Sequence, residues 1–231
     1  MNTEYTLENV RERVKNSKGM LFDFDGTLVN LDKLNVDAFA LVFKEMFNLN
    51  FSREEFMKYI SGRGSKNGLV EYLNRNGIEE FSPEEINNQF YTHKKGLIEE
   101  QLHSEIYLLP GIVEFLKYSK ESGKRMIIVT SSREEHVKKM LTHFKIYEYF
   151  EKVFDRFAVV RGKPDSEGYT RGVEYLGYTT DECIAFEDSF YGLQSAKGAG
   201  LFTIGVNNPG WNDDFVYQLS DLVIDNYTEL I

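Results

Sequence analysis

The pattern of apolar and polar positions changes character twice along the chain. The run Gly19-Met20-Leu21-Phe22-Asp23-Phe24 is short and apolar and ends in acidic residues. It predicts a buried strand whose carboxyl end meets solvent. Ahead of it, Thr6 to Val14 reads as a short polar helix lying before the fold. Between residues 31 and about 105 the spacing turns helical. Leu34, Ala38, Leu41, Val42 and Phe43 recur at helical intervals, and Ser52-Arg53-Glu54-Glu55 has the form of a capping box. Leu69 to Leu73 and Glu84 to Leu102 continue that pattern, with Pro83 suited to a first turn. Gly62 to Gly68 reads as a glycine-containing loop, and no strand is predicted in this stretch.

From Pro110 the pattern alternates. Ile112 to Glu121, Glu134 to Phe144, Ser166 to Leu176 and Leu193 to Gly198 read as helices. Arg125 to Val129, Val153-Phe154, Cys183 to Phe186, Leu201 to Ile204 and Leu222 to Ile224 read as strands. Strand–helix alternation with short links predicts an α/β fold, a parallel sheet with helices on both faces. Residues 1–29 and 106–231 would form that core, and residues 30–105 an all-helical insert.

Composition narrows the function. The 231 residues suit one large domain or a core with an insert. Asp and Glu number 37 against 27 Lys and Arg, for a net charge of −10. Nucleic acid is thereby excluded as a partner, since that surface needs a basic face to displace counterions. An anionic substrate would need a local positive site. Cys183 is the single cysteine, so neither an intramolecular disulfide nor a multi-cysteine zinc site is available. In its apolar strand it reads as a packed thiol. Met1 to Lys18 is polar with no apolar signal core, and no stretch approaches the ~20 apolar residues of a membrane span. These features predict a cytoplasmic protein without membrane partners, a monomer or weak dimer.

Asp23 and Asp25 lie two apart, so on an extended segment they face the same way. Two close carboxylates need a cation or a shared proton to offset their repulsion. Gly26 permits a tight turn and close approach of backbone to ligand, and Thr27 adds a hydroxyl. In open parallel sheets, ligands bind at the carboxyl ends of strands. By itself the pair is also compatible with an acidic turn. A calcium loop would require further acids at regular spacing and a closing glutamate, which are missing.

Three further segments complete a pattern. Ile127-Ile128-Val129-Thr130-Ser131-Ser132 is a strand ending in hydroxyls. Gly162-Lys163-Pro164 holds a lysine between two turn-forming residues. Ala185-Phe186-Glu187-Asp188-Ser189 leads a strand into paired acids, followed by Gly192 and Ala199-Gly200. With Asp23-Phe24-Asp25-Gly26-Thr27, the four in this order resemble the haloacid dehalogenase-like hydrolases, in their phosphatase and phosphomutase branch. The resemblance spans residue 19 to about 206. It implies a Rossmann-like core with the helical insert as a cap over the site, hinged near residues 30 and 105.

The resemblance also implies a chemistry. Asp23 would attack phosphorus and form an aspartyl-phosphate. Asp25 would protonate the leaving oxygen and then deprotonate water. Thr130 and the amide of Ser131 would hold phosphate oxygens, with Gly26 and Thr27 beside them, and Lys163 would offset charge. Mg2+ would sit on Asp23, the carbonyl of Asp25 and Asp188, with Glu187 a ligand or a neighbour of one. Asp25 argues against dehalogenation, because a halide leaving group needs no proton. The substrate would be a small phosphorylated metabolite. Arg63, Lys66 and Arg133 are candidates to contact it. His93, His103, His136 and His143 match no motif and read as surface or helix-face positions, and Trp211 reads as packing.

Sugar-phosphate mutases resembling this group carry a histidine ten residues after the second aspartate, where this chain has Asn35. They also carry Gly-x-Ser-Arg on the cap, where Gly62-Arg63-Gly64-Ser65-Lys66 has the arginine displaced. Both departures favour a phosphatase, with a mutase and a non-catalytic phospholigand-binding protein as alternatives.

Overall fold

A computed structural model describes residues 5–61, 65–101, 105–208 and 214–231. Their elements follow in chain order. Helix α1 (Leu7–Asn16) precedes strand β1 (Gly19–Phe22) and the two-residue strand β2 (Val29–Asn30). Four helices follow: α2 (Asp32–Phe47), α3 (Arg53–Tyr59), α4 (Ser65–Arg75) and α5 (Pro83–Gln101). Strand β3 (Tyr107–Leu108) then leads into α6 (Ile112–Glu121), β4 (Arg125–Val129), α7 (Glu134–His143) and β5 (Lys152–Phe154). The chain finishes with α8 (Glu167–Leu176), β6 (Cys183–Glu187), α9 (Phe190–Gly198), β7 (Phe202–Val206), α10 (Asp214–Leu219), β8 (Leu222–Ile224) and a 3-10 turn at Tyr227–Leu230.

Two compact units result, residues 1–29 with 108–231 and residues 30–107. In the first, six parallel strands run in the order β5-β4-β1-β6-β7-β8. β1 is central, and its residues are buried on both faces, which is why its sequence is an unbroken apolar run. Alternate side chains separate the faces. Leu21, Ile127 and Ala185 join Tyr169, Val173 and Leu176 of α8 on one side. On the other, Phe22 stacks on Phe186 at 4.5 Å and meets Phe115 of α6 edge-on at 6.4 Å.

Register places the site. Phe22 lies opposite both Ile128 and Phe186, so β1, β4 and β6 end at one level. Asp23, Thr130 and Glu187 therefore emerge together at the carboxyl edge, where the amide of Asp23 still donates to the Phe186 carbonyl at 2.9 Å.

The second unit is helical. Phe39 of α2 stacks on Phe90 of α5 at 4.1 Å, and Phe43, Phe51 and Tyr72 pack beside them. Ser52 and Glu55 form the reciprocal capping box. α5 begins at Pro83, whose missing N–H is no loss in a first turn.

Some local readings need correction. α1 is no polar prelude: Val10 and Val14, four apart, are fully buried, and Arg11 Nε donates to the Glu229 carbonyl at 2.6 Å. The buried ammonium of Lys124 donates to the carbonyls of Lys15 and Ser17, satisfying the helix end. The stretch read as a loop to Gly68 is helical from Ser65, so glycine there does not break the helix. β2 and β3 pair with each other but are two residues each, too short to leave a period.

Candidate active site

Asp23 is buried just beyond β1. The ammonium of Lys163 lies 2.5 Å from its Oδ1 and also bonds Glu187 Oε1. Lys163 precedes α8 and is joined to Pro164 by a cis peptide. Glu187 closes β6 and is fully buried. Besides Lys163, it accepts from Tyr169 OH at 3.1 Å and, at 3.0 Å each, from the amides of Asp188 and Ser189 and the Ser189 hydroxyl. Five donors thus fix this carboxylate. Gly192 makes room for it, since a Cβ there would lie 1.8 Å from Glu187 Oε1.

Asp188 is half-buried and accepts from the Thr27 hydroxyl at 2.8 Å. Gly26, at φ +87°, allows this approach, because a Cβ would meet Asp188 Oδ2 at 2.1 Å. Thr27 is fully buried, and its hydroxyl proton is committed to Asp188. Thr27 thereby orients the Asp188 carboxylate. Behind it, Tyr227 OH donates to the Thr27 carbonyl at 3.0 Å.

Asp25 Oδ2 accepts from the Ser132 hydroxyl at 2.5 Å. Thr130 is buried, and its Oγ1 accepts from the Ser132 amide at 3.0 Å, while Ser131 is half-buried. Asp23, Asp25, Gly26, Thr27, Thr130, Ser131, Lys163, Glu187 and Asp188 thus gather at one sheet edge. Arg133 heads α7, with its guanidinium 4.0 Å from Glu135. Arg63, the side chain of Lys66, His103 and Trp211 lie outside the described residues. His136, on a face of α7, packs edge-on to Phe24 at 6.3 Å, and His93, on a face of α5, lies 2.9 Å from Glu45. His143 is exposed. Sequence reasoning missed Ser132, Tyr169 and Tyr227. Only Ser132 carried a signal, as the third hydroxyl of Thr130-Ser131-Ser132.

The electrostatics are those of a buried anionic site. Burial raises the Asp23 carboxyl well above the ordinary range; Lys163 opposes this, and Glu187 and Asp25 add to it. Burial alone would lower Lys163, but Asp23 and Glu187 outweigh it and hold the ammonium charged. Among the described residues, the Lys163 ammonium pairs with two buried carboxylates, Asp23 and Glu187. Asp23, Glu187 and Asp188 present oxygens within 4.8 Å of one another, a donor set that fits a hard divalent cation. The site therefore combines a nucleophile-capable carboxylate with a fixed ammonium, a second carboxylate and a place for a cation.

The family profile described as haloacid dehalogenase-like hydrolase matches residues 20–206. The chain belongs to that family. It is an enzyme of the branch that holds phosphatases and phosphomutases. It is 27% identical over 184 residues to a phosphorylated carbohydrates phosphatase of Thermotoga maritima, covering 80% of this chain and 82% of the other. It is 27% identical over 216 residues to the β-phosphoglucomutase of Bacillus subtilis, covering 90% and 92%. Among solved structures, CbbY of Rhodobacter sphaeroides in complex with phosphate superposes with a TM-score of 0.76 at 25% identity, covering 93% and 96%. Among the described residues, no helix is long and apolar enough to cross a membrane.

Proposed function

We propose that this enzyme is a magnesium-dependent phosphatase that hydrolyses a small phosphate monoester through an aspartyl-phosphate on Asp23. The observation that carries the reading is the buried Asp23, held by Lys163 and grouped with Glu187 and Asp188. A carboxylate so placed is costly unless it has a task that needs it.

In the first step an Asp23 oxygen attacks phosphorus while the ester P–O bond breaks. Asp25 gives its proton to the departing oxygen, so the product leaves as an alcohol. In the second, water attacks phosphorus, Asp25 takes its proton, and Asp23 leaves as a carboxylate with inorganic phosphate. Thr130 and the Ser131 amide hold phosphate oxygens. Lys163 offsets the charge shared by Asp23 and the incoming dianion. Glu187, saturated by its five donors, fixes Lys163. Asp23, Asp188 and the carbonyl of Asp25 would hold magnesium, with Thr27 and Gly26 setting Asp188. When bound, the cation supplies the positive charge that lets a phosphate dianion enter among carboxylates.

The helical unit acts as a cap. Its chain leaves the core unit after Val29, shortly beyond the acidic turn, and returns at Leu108. Closure would exclude water and strengthen the electrostatics of the site.

A panel of small phosphate esters with magnesium, sugar phosphates first, tests the reading. Turnover with magnesium, reversible loss with chelator and loss in Asp23→Asn are expected. Near-normal activity in Asp23→Asn would remove the nucleophile. The relationship to a β-phosphoglucomutase carries the second reading, a sugar-phosphate mutase. Transfer between sugar positions with a bisphosphate activator identifies it, and free phosphate without isomerisation excludes it. Inactivity across the panel would point to a phospholigand-binding protein.

A further inference from the structure

Resting on the phosphatase reading above, we infer that Ser132 is the positioning residue that aims the carboxyl of Asp25 at the leaving group. Three contacts fix Ser132. Its amide donates to Thr130 Oγ1 at 3.0 Å, its carbonyl accepts from the Arg156 amide at 3.4 Å, and its hydroxyl donates to Asp25 Oδ2 at 2.5 Å. The residue is 8% exposed, so water does not compete freely for that hydroxyl. Asp25 is half-buried at the turn after β1, and rotation about its χ angles would carry its carboxyl out of line. A short hydrogen bond from a backbone-locked donor selects one orientation.

The ladder of contacts links two tasks of one loop. Thr130, the phosphate-holding hydroxyl, also receives the Ser132 amide. The loop after β4 therefore places the phosphate and the acid relative to one another. Proton delivery depends on geometry first and acidity second. A loss of aim should therefore show most where the leaving group most needs a proton.

The test uses the full-length enzyme with magnesium and two esters, an alkyl phosphate and p-nitrophenyl phosphate. An alkoxide needs protonation to depart, whereas nitrophenolate departs well without it. kcat/KM reports phosphoenzyme formation, the step in which the leaving group departs. Ser132→Ala should lower kcat/KM for the alkyl ester by about 10- to 100-fold, the cost of misplacing a group that must transfer a proton. Its loss on the nitrophenyl ester should be at least about tenfold smaller. Ser132→Thr, which keeps the hydroxyl, should restore the alkyl ester. Asp25→Ala should show the same leaving-group dependence more strongly.

Equal losses on both esters would make Ser132 a structural or phosphate-holding residue and overturn the inference alone, as would no loss on either. Failure of Ser132→Thr to restore the alkyl ester, in a variant that melts like wild type, would also overturn it. Wild-type inactivity on both esters, or full activity in Asp23→Asn, would overturn the phosphatase reading and the inference with it.

Discussion

Gly26→Ala isolates how Asp188 is placed. The backbone there sits at φ +87°, where an L-residue is strained by about 1–2 kcal/mol. The added Cβ would lie 2.1 Å from Asp188 Oδ2 and 2.7 Å from its Cγ. Ordinary contact starts near 3.4 Å, so the carboxylate must retreat by about 1 Å or more. That retreat also loosens the 2.8 Å bond from Thr27. Against a folding free energy of about 5–15 kcal/mol, the strain leaves the chain folded at 25 °C. Displacement of a reacting or ligating group by about 1 Å costs on the order of 100-fold in rate. The variant should therefore melt only slightly below wild type, lose about 100-fold in kcat/KM, and need at least about tenfold more magnesium for half-maximal rate. Calorimetric titration with magnesium, without substrate, reads the same shift independently. Wild-type magnesium affinity and turnover in a folded Gly26→Ala protein would refute the placement, as would a rate loss fully recovered on cooling.

Lys163→Met should destabilise the protein by about 3–5 kcal/mol in urea denaturation, because Asp23 and Glu187 would remain buried without their ammonium. A change within error would show that neither carboxylate depends on it. Magnesium-induced stabilisation should grow as pH rises. A carboxyl raised on folding, as Asp23 is, gives stability that is present below its unfolded value and lost as pH rises through its folded value. The metal-free chain should thus weaken upward from the ordinary carboxylate range, and magnesium should offset this by displacing the proton. Melting temperatures with magnesium and with chelator, at about pH 5 and about pH 8, check it, and a pH-independent difference contradicts it. Tyr227→Phe removes the buried donor to the Thr27 carbonyl and should cost about 1–3 kcal/mol in denaturant. No measurable change would remove Tyr227 from the support of the acidic turn.

Much of the α/β core was legible because its strands are buried on both faces and so read as unbroken apolar runs ending in chemistry. Gly19 to Phe24 and Cys183 to Glu187 are such runs, and parallel pairing in equal register brings their ends together. Features set by tertiary contact were less legible. Val10 and Val14 have the right spacing for a buried stripe, but the charges between them disguised it. Gly64 and Gly68 suggested a loop, yet packing of Leu69 and Leu73 carries helix from Ser65 onward. Tyr227 reaches Thr27 across 200 residues, and no local pattern can announce that. Ser132 and Thr27 were visible as hydroxyls beside the motifs. Which hydroxyl faces phosphate and which holds a carboxylate depends on side-chain direction beyond a strand end, where the two-residue period lapses.

A covalent phosphate on Asp23 is what sets the proposed hydrolysis apart from simple phosphate binding. A single turnover with magnesium and a radiolabelled sugar phosphate, quenched in acid, tests it most directly, provided the ester is one the panel shows to be cleaved. Label should appear on the peptide containing Asp23, be released by hydroxylamine as an acyl phosphate, and be absent in Asp23→Asn. Turnover with no labelled protein, or with label on another residue, would exclude Asp23 as the nucleophile.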